Sequence, residues 1–340
     1  MKFGIDILVG SDPNKIIEYS KRFEELGFDS VWMADHLIFT RPEAVTPEAW
    51  TILTVVGVKT KRVKVGTAVS DPHRYHPAVL AQRLATLTHL IGERVILGLG
   101  AGEVMNLDPY GIQWNKPVTR MKEAIEVMKL LWNSDVHNPV SYNGEFFRIN
   151  NAYLQIKPKG KIPIYIGANS PRTRKLTGQI ADGWIPAYIP PELYKEYYKD
   201  VKESARKSGR DLEFALLIFT CISDSKDDAI RVLKPFKGLF IWPYELEKLG
   251  YSVPEQYKNL SYPMLLPTDK VMMAKLKEYN EIIPNDLIDD FAICGNKNDV
   301  EESLERYRKA GVERIIFQDF SPDKEKAFKI FSKVIESFRD

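Results

Sequence analysis

Three short segments of this chain gather side chains that can move protons. Asp35 and His36 sit together in Ala34-Asp35-His36, directly after the apolar run Ser30 to Met33. A histidine titrates near neutrality, so it can take a proton from a hydroxyl or return one to an oxyanion. Gly100-Ala101-Gly102 precedes Glu103. Glycines admit close backbone approach to a ligand, their amides can meet a phosphate or a ring carbonyl, and Glu103 adds a second acid/base group. The third segment, Ser70-Asp71-Pro72-His73-Arg74-Tyr75-His76, is dense in charge. Each signal alone also fits a bland role: a polar loop cap, a plain turn, a solvated carboxylate. Their recurrence after successive strands is the stronger pattern, because such loops converge on one mouth. No histidine pair has the spacing of a helical metal site, so no metal is expected. His89 and His137 read as structural.

Those loops need a scaffold, and the chain has the length for one large α/β domain. It has 340 residues, 44% hydrophobic and 28% charged, with a net charge of +2. That balance gives no reason to expect nucleic acid or a membrane surface as partner; a small molecule is expected instead. No run approaches the ~20 apolar residues that span a bilayer, and the N-terminus reads as no secretory signal. Cys221 and Cys294 are far apart. A disulfide framework is not expected, and the cytoplasm is the default location.

Strand-like apolar runs alternate with amphipathic helical stretches. Eight strands are expected, near residues 3, 30, 63, 95, 164, 183, 214 and 314. The first is read over Phe3 to Leu8. Eight β/α units in this length suit a TIM barrel, whose chemistry sits at the C-terminal strand ends. A doubly wound sheet is the alternative, but VGSDPN after the first run is no dinucleotide turn. Asn143-Gly144 marks a β-hairpin inserted over 140–156. Residues 235–290 break the alternation. Their aromatics, Phe240, Trp242 and Tyr244 among them, suggest a packed lid rather than a linker. The chain is therefore read as one domain over 1–340.

Four ordered segments resemble the bacterial-luciferase-like superfamily in its deazaflavin-dependent branch. They are WMADH at 32–36, GTAVSDPHRYHPAVLAQRLATL at 66–87, ERVILGLGAGEVMN at 93–106 and IPIYIGANSPRTRKLTGQIADGW at 162–184, with PDKEKA at 322–327. The resemblance implies a TIM barrel with insertions, coenzyme F420 as hydride carrier (FMN in the monooxygenase alternative), and a homodimer. It places Asp35 at the cofactor head and Ala68-Val69 as the bulge behind its ring, a cis peptide in many members. Asp71, Ala101, Gly102 and Asn106 would line the cofactor. Asn169, Ser170 and Arg172 would meet its phosphate.

Two branches compete for the substrate. One oxidises alcohols or glucose 6-phosphate, with the Asp-His histidine as base and the Glu after the glycine turn as acid; His36 and Glu103 match. That branch has a tryptophan where this chain has Thr40. Its sugar-phosphate members use Thr, Lys and Arg where Ala187, Pro190 and Asp290 stand here, so a phosphosugar is not expected. The other branch reduces methylene-tetrahydromethanopterin with a Glu in the first strand, where this chain has Asp6. TCIS at 220–223 and LEKLGYSVPE at 246–255 favour that branch. A pterin reductase is thus the leading expectation and an alcohol or sugar dehydrogenase the second. An FMN monooxygenase and a barrel that merely binds cofactor are further alternatives.

Overall fold

The computed structural model describes residues 1–7, 12–41 and 44–339. Its strands are β1 Lys2–Ile7, β2 Ser30–Met33, β3 Lys64–Thr67, β4 Val95–Leu99, β5 Val140–Asn143, β6 Arg148–Ala152, β7 Ile164–Ile166, β8 Gly183–Trp184, β9 Glu213–Ile222, β10 Ala292–Gly295 and β11 Arg314–Asp319. Parallel pairing runs β1-β2-β3-β4-β7-β8-β9-β11 and returns to β1. That ring is a closed barrel of eight strands, as expected, with helices in the connections. Leu8, the expected end of the first strand, lies outside the described residues.

The barrel strands are short and buried on both faces, which is why they read as continuous apolar runs rather than alternating ones. Trp32, Ile96, Tyr165, Ile185, Ala215, Leu217 and Ile316 fill the interior. The Trp32 ring needs room there. A Cβ on Gly4 or Gly66 would come within 2.7 or 2.9 Å of it. A larger core lies between barrel and helices. Helix Pro191–Lys207 shows how it forms: Leu193, Tyr194, Tyr197, Val201 and Ala205 make one buried stripe. Tyr194 packs on Trp184 of β8, ring centroids 4.8 Å apart.

Two additions interrupt the ring. β5 and β6 pair antiparallel as a hairpin. Its turn is anchored by Glu123, which accepts from the backbone N–H groups of Glu145, Phe146 and Phe147. The stretch between β9 and β10 carries helices Pro243–Lys248 and Lys270–Ile282 and a second core of its own. Phe240 belongs to that core, stacked on Phe219 at 4.6 Å. The sequence reading missed β10. It pairs with residues 219–222 of β9, the part that overshoots the two-residue β8. No helix among the described residues is long and apolar enough to cross a membrane.

Candidate active site

The C-terminal strand ends open into a cavity of about 620 Å³. Ala34, Asp35 and His36 enter it after β2, Ala68 to Asp71 after β3, Gly100 to Glu103 after β4, and Gly167 with Asn169 to Pro171 after β7. Trp242, Tyr244, Glu245 and residues 260–264 roof it. Its floor is apolar: Ala68, Val69, Ile185 and Leu217. The Ala68–Val69 peptide is cis. A Cβ on Gly100 would stand 2.4 Å from Val69 Cγ2, so a glycine there lets the bulge form. Gly102 has φ of 84° and meets His73. Both glycines therefore serve protein–protein approach as well as any ligand.

Arg74 organises one wall. Its guanidinium donates to Asp35 Oδ1 at 3.1 Å and to Asp71 Oδ2 at 2.5 Å. Ser70 and Tyr75 hydroxyls complete the shell of Asp35. Burial pushes Asp71 up, but the His73 contact and Arg74 outweigh it and hold the carboxyl at about 2. For Asp35 burial wins over Arg74 and Ser70, and its pKa lies above the usual range. Beyond this wall, Ser170 caps helix Pro171–Ile180 by accepting from Thr173 N–H. The positive end of that helix faces the cavity through Ser170, Pro171 and Thr173.

Two proton-bearing systems meet at the opposite wall. His36 Nε2 lies 3.3 Å from Glu103 Oε2, and the imidazole is buried. Burial lowers its pKa, but the Glu103 charge and hydrogen bond more than compensate, so the net direction is upward. Its Nδ1 has no partner. Asp6 is also buried, with Oδ2 accepting from Gln318 Nε2 at 2.9 Å and Oδ1 unpartnered. Burial lifts Asp6 to about 7 against the opposing pull of Gln318 and His36. A carboxyl raised in this way can hold and give a proton near neutrality.

Residues 1–314 match the family model described as luciferase-like monooxygenase. The chain belongs to this family. It is 30% identical to the 5,10-methylenetetrahydromethanopterin reductase of Archaeoglobus fulgidus, covering 98% of each chain. It is also 30% identical to an F420-dependent glucose-6-phosphate dehydrogenase of Microbacterium testaceum, over 95% of this chain and 92% of the relative. Among solved structures, an F420-dependent secondary alcohol dehydrogenase with an F420-acetone adduct superposes with a TM-score of 0.85 at 28% identity, covering 100% of this chain and 99% of that one. The tetrahydromethanopterin reductase of Methanopyrus kandleri gives 0.84 at 25%, with 99% of each covered.

In this luciferase-like barrel most of the expected residues line one cavity: Asp35, His36, Ala68, Val69, Asp71, Ala101, Gly102, Glu103, Asn106, Asn169 and Ser170. Two do not line it. Asp6 lies just behind Gln318, and Arg172 is exposed, its Nη2 3.4 Å from Thr119 Oγ1. Arg172 is at the second position of its helix and points outward; Arg174, buried beside it, is committed to Asp200. Asp290 is not a lining residue either. It pairs with Arg306 at 2.9 Å, so it cannot be what repels a phosphate. Thr40 is buried outside the lining, but the lost ring has a substitute: Phe39 lines the cavity 5.6 Å from the His36 ring. Sequence reading missed Gln318, Tyr188, Tyr262 and Glu245. One signal was available for Gln318. Closing the barrel pairs β1 with β11, and Asp6 and Gln318 are register partners.

Proposed function

We propose that this chain is an F420-dependent oxidoreductase that reduces a methylene group carried by a tetrahydropterin. The cavity fits a deazaflavin in kind: an apolar floor for a flat ring, backbone at Ala101 and Gly102 for ring polar edges, and a capped helix N-terminus for a phosphate. When bound, reduced F420 supplies a hydride. The protein must supply a proton to the nitrogen that leaves the methylene carbon.

The observation carrying this reading is the state of Asp6. It is buried, poised at about 7 and short of one partner. Glu103 lines the cavity, but its Oε2 is already engaged by His36 and Asn106. Phe39, Tyr188, Trp242 and Tyr262 give the chamber aromatic walls suited to a flat heterocycle. Among the described residues the only Arg or Lys in the lining is Arg74, already spent on Asp35 and Asp71, which disfavours a phosphosugar.

A second reading is oxidation of a secondary alcohol, with the open Nδ1 of His36 receiving the hydroxyl proton. The Glu103 charge beside His36 works against it, because it favours the imidazolium over the form that accepts a proton. The test is direct. Titrate purified protein with F420 and with FMN by absorbance, then assay methylene-tetrahydromethanopterin, secondary alcohols and glucose 6-phosphate. We expect F420 binding and pterin reduction that falls ~10²–10⁴-fold in Asp6→Asn. Binding of FMN alone, or alcohol oxidation that depends on His36 and not on Asp6, sinks the proposal.

The working form is proposed to be a homodimer. Val58, Val79 and Leu90 are over half exposed on the adjacent helices Ala49–Lys59 and Pro77–Ile91. Sedimentation of wild type against Val58→Glu tests this; a monomeric wild type rejects it.

A further inference from the structure

Tyr188 has φ of 57°, a left-handed backbone rarely adopted by a bulky residue. Its N–H bonds to Leu217 O at 2.9 Å, and its hydroxyl reaches Gln318 Oε1 at 2.8 Å. Gln318 Nε2 in turn donates to Asp6 Oδ2 at 2.9 Å. The order of donors in this chain is determined by chemistry. Burial raises the Tyr188 pKa far above neutrality, so the phenol keeps its proton and donates. With the phenol as donor, the amide oxygen faces Tyr188 and the amide N–H faces Asp6. Oδ2 receives that N–H and stays an acceptor. The proton of neutral Asp6 is left on Oδ1, the oxygen with no partner.

We propose that Tyr188 and Gln318 are positioning residues that fix which oxygen of Asp6 carries the transferable proton. The inference rests on the reading of Asp6 as proton donor and deepens it. In the reaction Oδ1 gives up its proton, which passes to the substrate nitrogen through a bridging water, since Asp6 itself does not line the cavity. The electron pair of the breaking carbon–nitrogen bond retreats onto that nitrogen. The carbon gains the hydride supplied by the reduced deazaflavin. The carboxylate left behind keeps the Gln318 N–H on Oδ2, which stabilises the charge as it forms. Other groups facing Asp6 are His36, whose charge favours the carboxylate, and the hydroxyls of Tyr188 and Tyr262. Glu103 lies behind His36 and opposes its effect.

The experiment is carbon-13 NMR of protein labelled at the aspartate side-chain carboxyl, titrated over about pH 4 to 10 without substrate. The resonance that vanishes in Asp6→Asn should titrate at about 7. In Tyr188→Phe the Gln318 amide is free to turn its oxygen toward Asp6, and the titration should move up by about one pH unit. Gln318→Met should move it the same way. F420 binding by each variant serves as the check on folding. A Tyr188→Phe titration that stays at the wild-type position overturns the proposal. So does a fall toward the ordinary carboxyl range, which signals only water entry. Because no turnover is involved, this outcome is separate from the reading it rests on. Pterin reduction surviving in Asp6→Asn would end that reading while leaving the hydrogen-bond assignment intact.

Discussion

Asn106 and His36 share one atom: Glu103 Oε2 lies 3.0 Å from Asn106 Nδ2 and 3.3 Å from His36 Nε2. The other end of Asn106 accepts from the N–H groups of Leu37 and Ile38, at 2.7 and 3.1 Å. One buried amide thus ties the loop after β4 to the loop after β2. Asn106→Ala should cost ~2 kcal/mol in denaturant unfolding, because buried partners are left unpaired. It should also lower activity on any substrate by ~10-fold or more through misplacement of His36. Unchanged stability would mean that water replaces the amide.

The His36–Glu103 pair gives a pH dependence with a definite sign. The folded pKa of His36 is raised, so its stabilising contribution is fully present below about 6.5 and is lost as pH rises through the folded value. Glu103→Gln removes the charge that favours imidazolium and leaves burial, which acts the other way. Proton NMR of the His36 ring should show its titration moving down in Glu103→Gln. An upward or absent movement contradicts the pairing.

Glu245 shifts stability in the same direction for a different reason. Burial lifts it to about 7, against the weaker pull of Arg174. The folded state then holds a proton that the unfolded chain releases near 4.5, so stability falls as pH rises between those values. Glu245→Gln should raise stability at pH 8 by at most ~3 kcal/mol and leave it unchanged at pH 4. Thermal melts at the two pH values decide this, and an equal shift at both rejects it.

Gly100→Ala tests the bulge at Val69. The added methyl stands 2.4 Å from Val69 Cγ2, and a β-branched side chain has little freedom to yield. The substitution should destabilise by ~1–3 kcal/mol and weaken cofactor binding, measured by fluorescence titration. Normal affinity would show that the floor adjusts without cost to the ligand.

Much of this was legible in the residue order. The barrel strands are buried on both faces, so each appears as an apolar run, and the loops that follow carry the polar side chains of the site. β10 was not legible, because a four-residue run acquires a partner only where β9 overshoots β8. Gln318 and Asp6 lie 312 positions apart, and only barrel closure brings them together. Arg172 stands outside the lining for a local reason. Its place as the second residue of a helix decides which way it points, and motif spacing carries no such information.

The division between floor and roof has a consequence for how such an enzyme diversifies. The strand-end loops that bear the proposed cofactor contacts come from residues 34–170, whereas the roof over the chamber comes largely from 242–264. The roof has its own apolar core, which meets the barrel at the outer end of β9 and at Ile38, Met105, Tyr188 and Phe320. Substitutions there can reshape what the chamber admits with little effect on the proposed cofactor loops, except where Tyr262–Met264 packs on Val104–Asn106. A change of substrate and a change of redox partner are therefore separable histories, written in different stretches of one chain.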